Sequence, residues 1–284
     1  MRKTIQKSDS KKNVNAWRPN SPSILSEIFM SAGPRKNSSD DTELGEDVVG
    51  ISSGFNRTFF WLMDGTSESS SVGSSTEEDE QEINYVFSSR LLAQELSYFF
   101  QQNCEKERIA KLVTSAIRVI KIKWLEELNK LPEQKRTDIS DYLSKGLNIR
   151  CSSTLVFGYF SSAGELQYVN YGDSNVIPIS NAKHLNIPIL EPTANRIILQ
   201  LSIKNGLFDI ESNNIDDIEE HLYFVRNIRI VYVFSDGIGK LMQSRLKSSL
   251  GNNEALVRAV MAKAPHKTYD DKSLIILKRK LIGR

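Results

Sequence analysis

Residues 59–65, Phe-Phe-Trp-Leu-Met-Asp-Gly, set five large apolar side chains in a row and stop abruptly at an acid and a glycine. A short apolar run ended by a turn signal reads as a buried strand. Such a strand carries one carboxylate, Asp64, to its end and frees the next carbonyl, that of Gly65. The device recurs at residues 230–237, Ile-Val-Tyr-Val-Phe-Ser-Asp-Gly, where the run ends in Asp236 and Gly237. If the two strands lie side by side, Asp64 and Asp236 converge. Two carboxylates 4 Å apart repel by roughly 4 kcal/mol at an effective dielectric of 20, and a bound cation relieves that repulsion.

The chain has 284 residues, enough for one large or two small domains, and its 37 basic and 35 acidic side chains leave a formal charge of +2. That balance gives no general attraction to nucleic acid, although Lys278-Arg279-Lys280 and the N-terminal Lys3, Lys7, Lys11 and Lys12 are locally basic. Cys104 and Cys151 lie far apart without metal-ligand spacing, so neither a disulfide framework nor a zinc site is indicated. The polar N-terminus lacks the apolar core of a secretory signal, and no segment approaches about 18 uninterrupted apolar residues. A cytoplasmic protein with no membrane or nucleic-acid partner is the expectation.

Residues 1–24, rich in Lys, Ser and Asn, read as a flexible tail, and residues 25–284 as one domain. Residues 28–32 suggest a first edge strand. Residues 48–51 and 59–64 flank a turn at Gly54-Phe55-Asn56 and read as a β-hairpin. In antiparallel pairing Glu46 and Asp47, which open one strand, meet Asp64, which closes the other. Residues 66–82 are a low-complexity acidic and Ser-rich loop, expected to be mobile. Apolar residues from Val86 to Phe100, and again from Ile109 to Leu128, recur at helical spacing, and Pro132 ends the second helix.

From Ser153 the pattern returns to strands. Residues 154–160, 166–171 and 175–179 suggest tight antiparallel hairpins, followed by strands at 197–203, 230–235 and 274–277 and helices at 240–250 and 254–263. Helix pairs between blocks of strands indicate antiparallel sheets with helices outside, not alternating βαβ units. Carboxylates then stand at strand ends or tight turns in five places: Glu46-Asp47, Asp64, Asp173, Asp236 and Asp270-Asp271. Hard oxygen donors of this kind suit Mg²⁺ or Mn²⁺.

Taken in order, GED (45–47), FFWLMDG (59–65), SSTLVFGYF (152–160), YVNYGDSNV (168–176), VYVFSDGIG (231–239) and DDKSLIIL (270–277) resemble the metal-dependent Ser/Thr protein phosphatases of the type-2C class, the PPM family. The resemblance implies an α+β fold, a four-layer αββα sandwich of two antiparallel sheets flanked by helix pairs, with a two-metal site at one edge. Asp64 resembles the acid that bridges both metals, with the Gly65 carbonyl as a further ligand. Asp236 and Asp270 resemble ligands of one metal, and Glu46 and Asp47 match the acidic pair near the other. Asp173 matches the family's acid for a third, weaker ion shared with Asp236. Asp271 stands where asparagine is usual, which leaves the choice between Asp270 and Asp271 open, with Asp270 preferred.

The activity implied is hydrolysis of phosphoserine and phosphothreonine by a hydroxide held between two cations about 3.5 to 4 Å apart, with Asp64, Asp236 and Asp270 at its centre. The partner implied is a phosphorylated protein, paired with a Ser/Thr kinase. No arginine-bearing phosphate loop follows Cys151, which reads as an ordinary strand residue. Two departures stand out: Thr42 replaces the family's phosphate-binding arginine and Thr66 the histidine that commonly follows its first Asp-Gly. Arg35, Lys36 and Arg57 are possible substitutes for the arginine, while His184, His221 and His266 read as structural or exposed. The alternative is a catalytically weak or inactive binding or regulatory module on the same fold.

Overall fold

The computed structural model describes residues 24–31, 47–54, 56–65, 87–146, 148–180, 196–213, 218–238 and 271–280. In chain order these form β1 (Ile24–Ser31), β2 (Asp47–Ser53), β3 (Arg57–Asp64), α1 (Ser89–Asn103), α2 (Ile109–Lys130), α3 (Glu133–Ser144), β4 (Ile149–Ser153), β5 (Leu155–Ser161), β6 (Leu166–Tyr171), β7 (Asn175–Ser180), β8 (Ile197–Lys204), β9 (Leu207–Ser212), β10 (Leu222–Val225), β11 (Ile228–Phe234) and β12 (Lys272–Arg279). The strands make three antiparallel sheets, ordered β10-β6-β5-β3-β2, β1-β12-β11-β7 and β4-β8-β9.

β3 is the inner strand from which both cores grow. Successive side chains of a strand point to opposite faces, so Phe59, Trp61 and Met63 fall in one core and Phe60 and Leu62 in another. The first core takes the apolar faces of α1 and α2, with Leu92, Leu96, Phe100, Leu112, Ile117 and Trp124 all buried. Phe100 stacks on Phe157 of β5 at 4.1 Å, and the Trp61 indole N–H donates to Ser97 Oγ at 2.8 Å. Burying a side chain of this size contributes about 1.5–3 kcal/mol. The small sheet joins the same core through Leu199, Leu201 and Ile210.

Gly50, paired with Trp61 across the β2–β3 ladder, lets the indole lie flat on the backbone, because a Cβ there would stand 2.3 Å from Trp61 Cε2. The second core joins two sheets: Phe60, Leu62, Val156 and Leu166 of the five-stranded sheet meet Val231, Val233, Ile275 and Leu277 of the four-stranded one. The outer face of the four-stranded sheet carries a third apolar cluster of Ile177, Tyr232, Phe234, Ile238, Leu274 and Ile276.

Three sequence expectations are corrected. β3 and β11 do not lie side by side; they belong to different sheets. β7 is not the third strand of a meander after β6, because beyond Gly172 the chain crosses to the four-stranded sheet and pairs with β11. A third sheet, β4-β8-β9, accompanies the two that were expected. Helix α3 begins just after Pro132, where the sequence reading stopped; only Ile139 of it is buried, so it shows almost no apolar stripe. The tail up to residue 23, the loop 66–82 and the helices expected at 240–250 and 254–263 lie outside the described residues.

Candidate metal centre

Antiparallel pairing gathers six strand ends at one place. β3 ends at Asp64 beside Asp47, the first residue of β2, in direct register. β5 runs antiparallel to β3, so its start, Thr154-Leu155, also lies next to Asp64. In the other sheet the end of β11, Phe234, pairs with Asn175 at the start of β7 and with Leu274 near the start of β12. Asp173 and Asp271 therefore arrive beside Asp236. The acids of separate sheets meet because those sheets pack face to face through the second core.

Thr154 locks two of these ends together. Its hydroxyl accepts the Asp64 N–H at 2.9 Å and lies 3.3 Å from Ser174 Oγ, while its own N–H donates to the Asp64 carbonyl at 3.0 Å. Ser153 Oγ also donates to that carbonyl, at 3.2 Å. The methyl of Thr154 fills the space over Gly172, where an added Cβ would come within 2.6 Å of it. Gly172 moreover has φ +108°, a conformation that side-chain-bearing residues rarely adopt. The turn that presents Asp173 is braced by Asn170 Nδ2 on the Ser174 carbonyl (3.1 Å) and Asn175 Nδ2 on the Asp173 carbonyl (2.9 Å).

Ser235 plays the matching part ahead of Asp236. It is fully buried, its hydroxyl accepts the Ser273 N–H at 3.0 Å and donates to the Asp271 carbonyl at 3.4 Å, and its N–H donates to the Ser273 carbonyl at 3.1 Å. The backbone on either side of the acids is thus fixed by hydroxyls that water does not reach.

Among the described residues, Asp64, Asp173 and Asp236 each place a carboxylate oxygen so that all three lie within 4.8 Å of one another. At that separation each pair of charges repels by roughly 3–4 kcal/mol with an effective dielectric of 20. Asp64 and Asp173 are half-buried and Asp236 exposed, so a cation could reach the group from solvent. Asp173 Oδ2 accepts from Arg196 Nη2 at 3.2 Å; its Oδ1 is shielded from solvent and accepts no hydrogen bond from the described residues. Hard oxygen donors at close range, with one buried oxygen in that position, fit a hard divalent cation.

Asp47 and Asp271 form a deeper tier, both nearly inaccessible, with the Asp47 N–H directed at Asp271 Oδ2 at 3.4 Å. Gly65 makes an isolated bridge to Ser153, directly after Asp64. Glu46, Asp270, Thr42 and Thr66 lie outside the described residues, as do Arg35 and Lys36. Arg57 opens β3 at its far end, about 24 Å of strand from Asp64, and rests over the Tyr159 ring at 4.9 Å. It is therefore no substitute for the cation at position 42. His221 lies against the Tyr171 ring at 4.6 Å. Sequence reasoning missed Thr154, Ser235 and Arg196; the two hydroxyls sit at the margins of apolar runs, where a side chain that caps a strand end is a readable signal, whereas a lone arginine ahead of β8 carries none.

The chain matches no protein-family model and no curated protein by sequence. In fold it is similar to RsbX, crystallised with magnesium, at 11% identity and a TM-score of 0.51 over 90% of this chain and 96% of that one. The fold is that of the PPM-type phosphatases. Two further solved structures align at lower TM-scores: the photosystem II phosphatase PBCP (15% identity, TM-score 0.49, 90% of this chain and 99% of that one) and a serine-threonine phosphatase 2C from Toxoplasma gondii (14%, 0.41, 91% and 96%). Among the described residues no helix is long and apolar enough to cross a membrane.

Proposed function

We propose that this chain is a metal-dependent protein phosphatase that hydrolyses phosphoserine and phosphothreonine, using Mg²⁺ or Mn²⁺. The observation that carries this reading is the three-carboxylate group of Asp64, Asp173 and Asp236 at the meeting of two sheets in a phosphatase-type fold. Asp64 holds the central place, with the Gly65 carbonyl beside it. Asp236 and Asp270 serve one ion, Glu46 and Asp47 flank the other, and Asp173 serves a third, weaker one. When bound, such cations supply Lewis acidity at phosphorus and a water acidified toward neutral pH. The chain's own part is to hold the acids rigid, through Thr154 and Ser235, and to leave Asp236 open to solvent.

In this reading residues 25–284 form one catalytic domain of the four-layer αββα type. The substrate is a phosphoprotein made by a Ser/Thr kinase, and the setting is cytoplasmic. Peptides bearing phosphoserine, phosphothreonine or phosphotyrosine, each incubated with the chain in Mn²⁺, test it: release of phosphate from the first two is expected, and none from any would contradict it.

A further inference from the structure

We propose that Arg196 is a built-in counter-ion of the three-carboxylate group, which a divalent cation has to displace from Asp173 in order to bind there. The inference rests on the metal-binding reading above and adds to it a residue that sets metal affinity.

Arg196 stands immediately before β8, in the small third sheet, and reaches across to the Gly172–Ser174 turn, where its Nη2 meets Asp173 Oδ2 at 3.2 Å. The guanidinium is a permanent cation. It offers one positive charge to three carboxylates that crowd within 4.8 Å. A divalent ion offers two, but needs the same Asp173 oxygens as ligands. The two cations therefore compete for one acid.

The side chain is not required to hold the strand in place. The Arg196 carbonyl accepts from Asn213 Nδ2 at 3.1 Å, and Asn213 Oδ1 accepts the Ile198 N–H at 2.7 Å, so the start of β8 is pinned by its backbone. Both partners of the ion pair keep about a third of their surface exposed, 32% each. Water screens a pair of this kind, which is correspondingly weak, so the arginine tunes metal affinity and does not block it.

Calorimetric titration of Mn²⁺ into the full chain tests the proposal with wild type, Arg196→Ala, Arg196→Lys and Asp173→Asn, and with Arg196→Ala combined with Asp173→Asn. Arg196→Ala is expected to bind Mn²⁺ about twofold to fivefold more tightly, Arg196→Lys to stay near wild type, and Arg196→Ala to have no effect once Asp173 is Asn. Equal or weaker Mn²⁺ binding by Arg196→Ala, with wild type still binding, overturns the counter-ion and leaves the metal site standing. The same tightening in the Asp173→Asn background also overturns it, since the effect would not act through Asp173. Absence of Mn²⁺ binding in both wild type and Arg196→Ala overturns the metal reading itself and the counter-ion with it. Binding by Arg196→Ala alone supports both.

Discussion

Thr154 and Asp64 are joined by two hydrogen bonds that close a ring: the Asp64 N–H donates to Thr154 Oγ1 at 2.9 Å, and the Thr154 N–H donates to the Asp64 carbonyl at 3.0 Å. The first acid of the site is thereby clamped to the start of β5, and the same threonine touches the turn that bears Asp173. One buried side chain thus sets the spacing of two acids.

Replacing Thr154 by Val keeps its shape and removes its hydroxyl, which leaves the Asp64 N–H without that acceptor. An unsatisfied donor in such a place costs about 1–3 kcal/mol. Urea unfolding should therefore show Thr154→Val destabilised within that range, and Thr154→Ser less so. Equal stability of Thr154→Val and wild type would contradict the clamp.

Gly172→Ala should be more disruptive than a usual glycine-to-alanine change. Its φ of +108° is strained for any L side chain, and the new methyl would meet Thr154 Cγ2 at 2.6 Å and Cβ at 2.8 Å. Strain of this kind costs about 1–3 kcal/mol. A lower melting temperature together with weaker Mn²⁺ binding is expected, because the turn carries Asp173. Full stability with unchanged metal affinity would show that the turn relaxes freely.

Much of the site was legible because each acid directly follows a buried strand or a tight turn, and strand ends are where a sheet exposes side chains. The order of Asp64, Asp173 and Asp236 along the chain could be read in this way. Which sheet each strand joins could not: β3 is apolar on both faces and shows no alternation to tell one face from the other, and the Gly172-Asp173-Ser174 turn looks like a hairpin while its two flanking strands diverge. α3 escaped notice for the opposite reason, since its surface is polar almost all round. Arg196 acts through a contact 23 residues away in sequence, and no local pattern encodes that.

Stability should fall at alkaline pH. Burial pushes the Cys104 thiol above its ordinary 9.0 and the Tyr168 phenol above its ordinary 10.0. The folded chain then keeps protons that the unfolded chain releases, so this stability is fully present below the ordinary thiol value and is lost as pH rises beyond it. Urea midpoints measured upward from about pH 9 should decline, and Cys104→Ala should flatten the first part of that decline. A midpoint that rises over this range would contradict the assignment. Native Cys104 and Cys151, both buried, should also resist thiol reagents at neutral pH.

The central claim, that phosphate-ester hydrolysis depends on metal held by the clustered acids, is tested most directly by p-nitrophenyl phosphate turnover in Mn²⁺. Wild type, Asp64→Asn and Cys151→Ser are compared, each before and after excess chelator. The account predicts turnover by wild type and by Cys151→Ser that chelator silences and fresh Mn²⁺ restores, and none above background by Asp64→Asn. Turnover that survives chelator, or full turnover by Asp64→Asn, would contradict it.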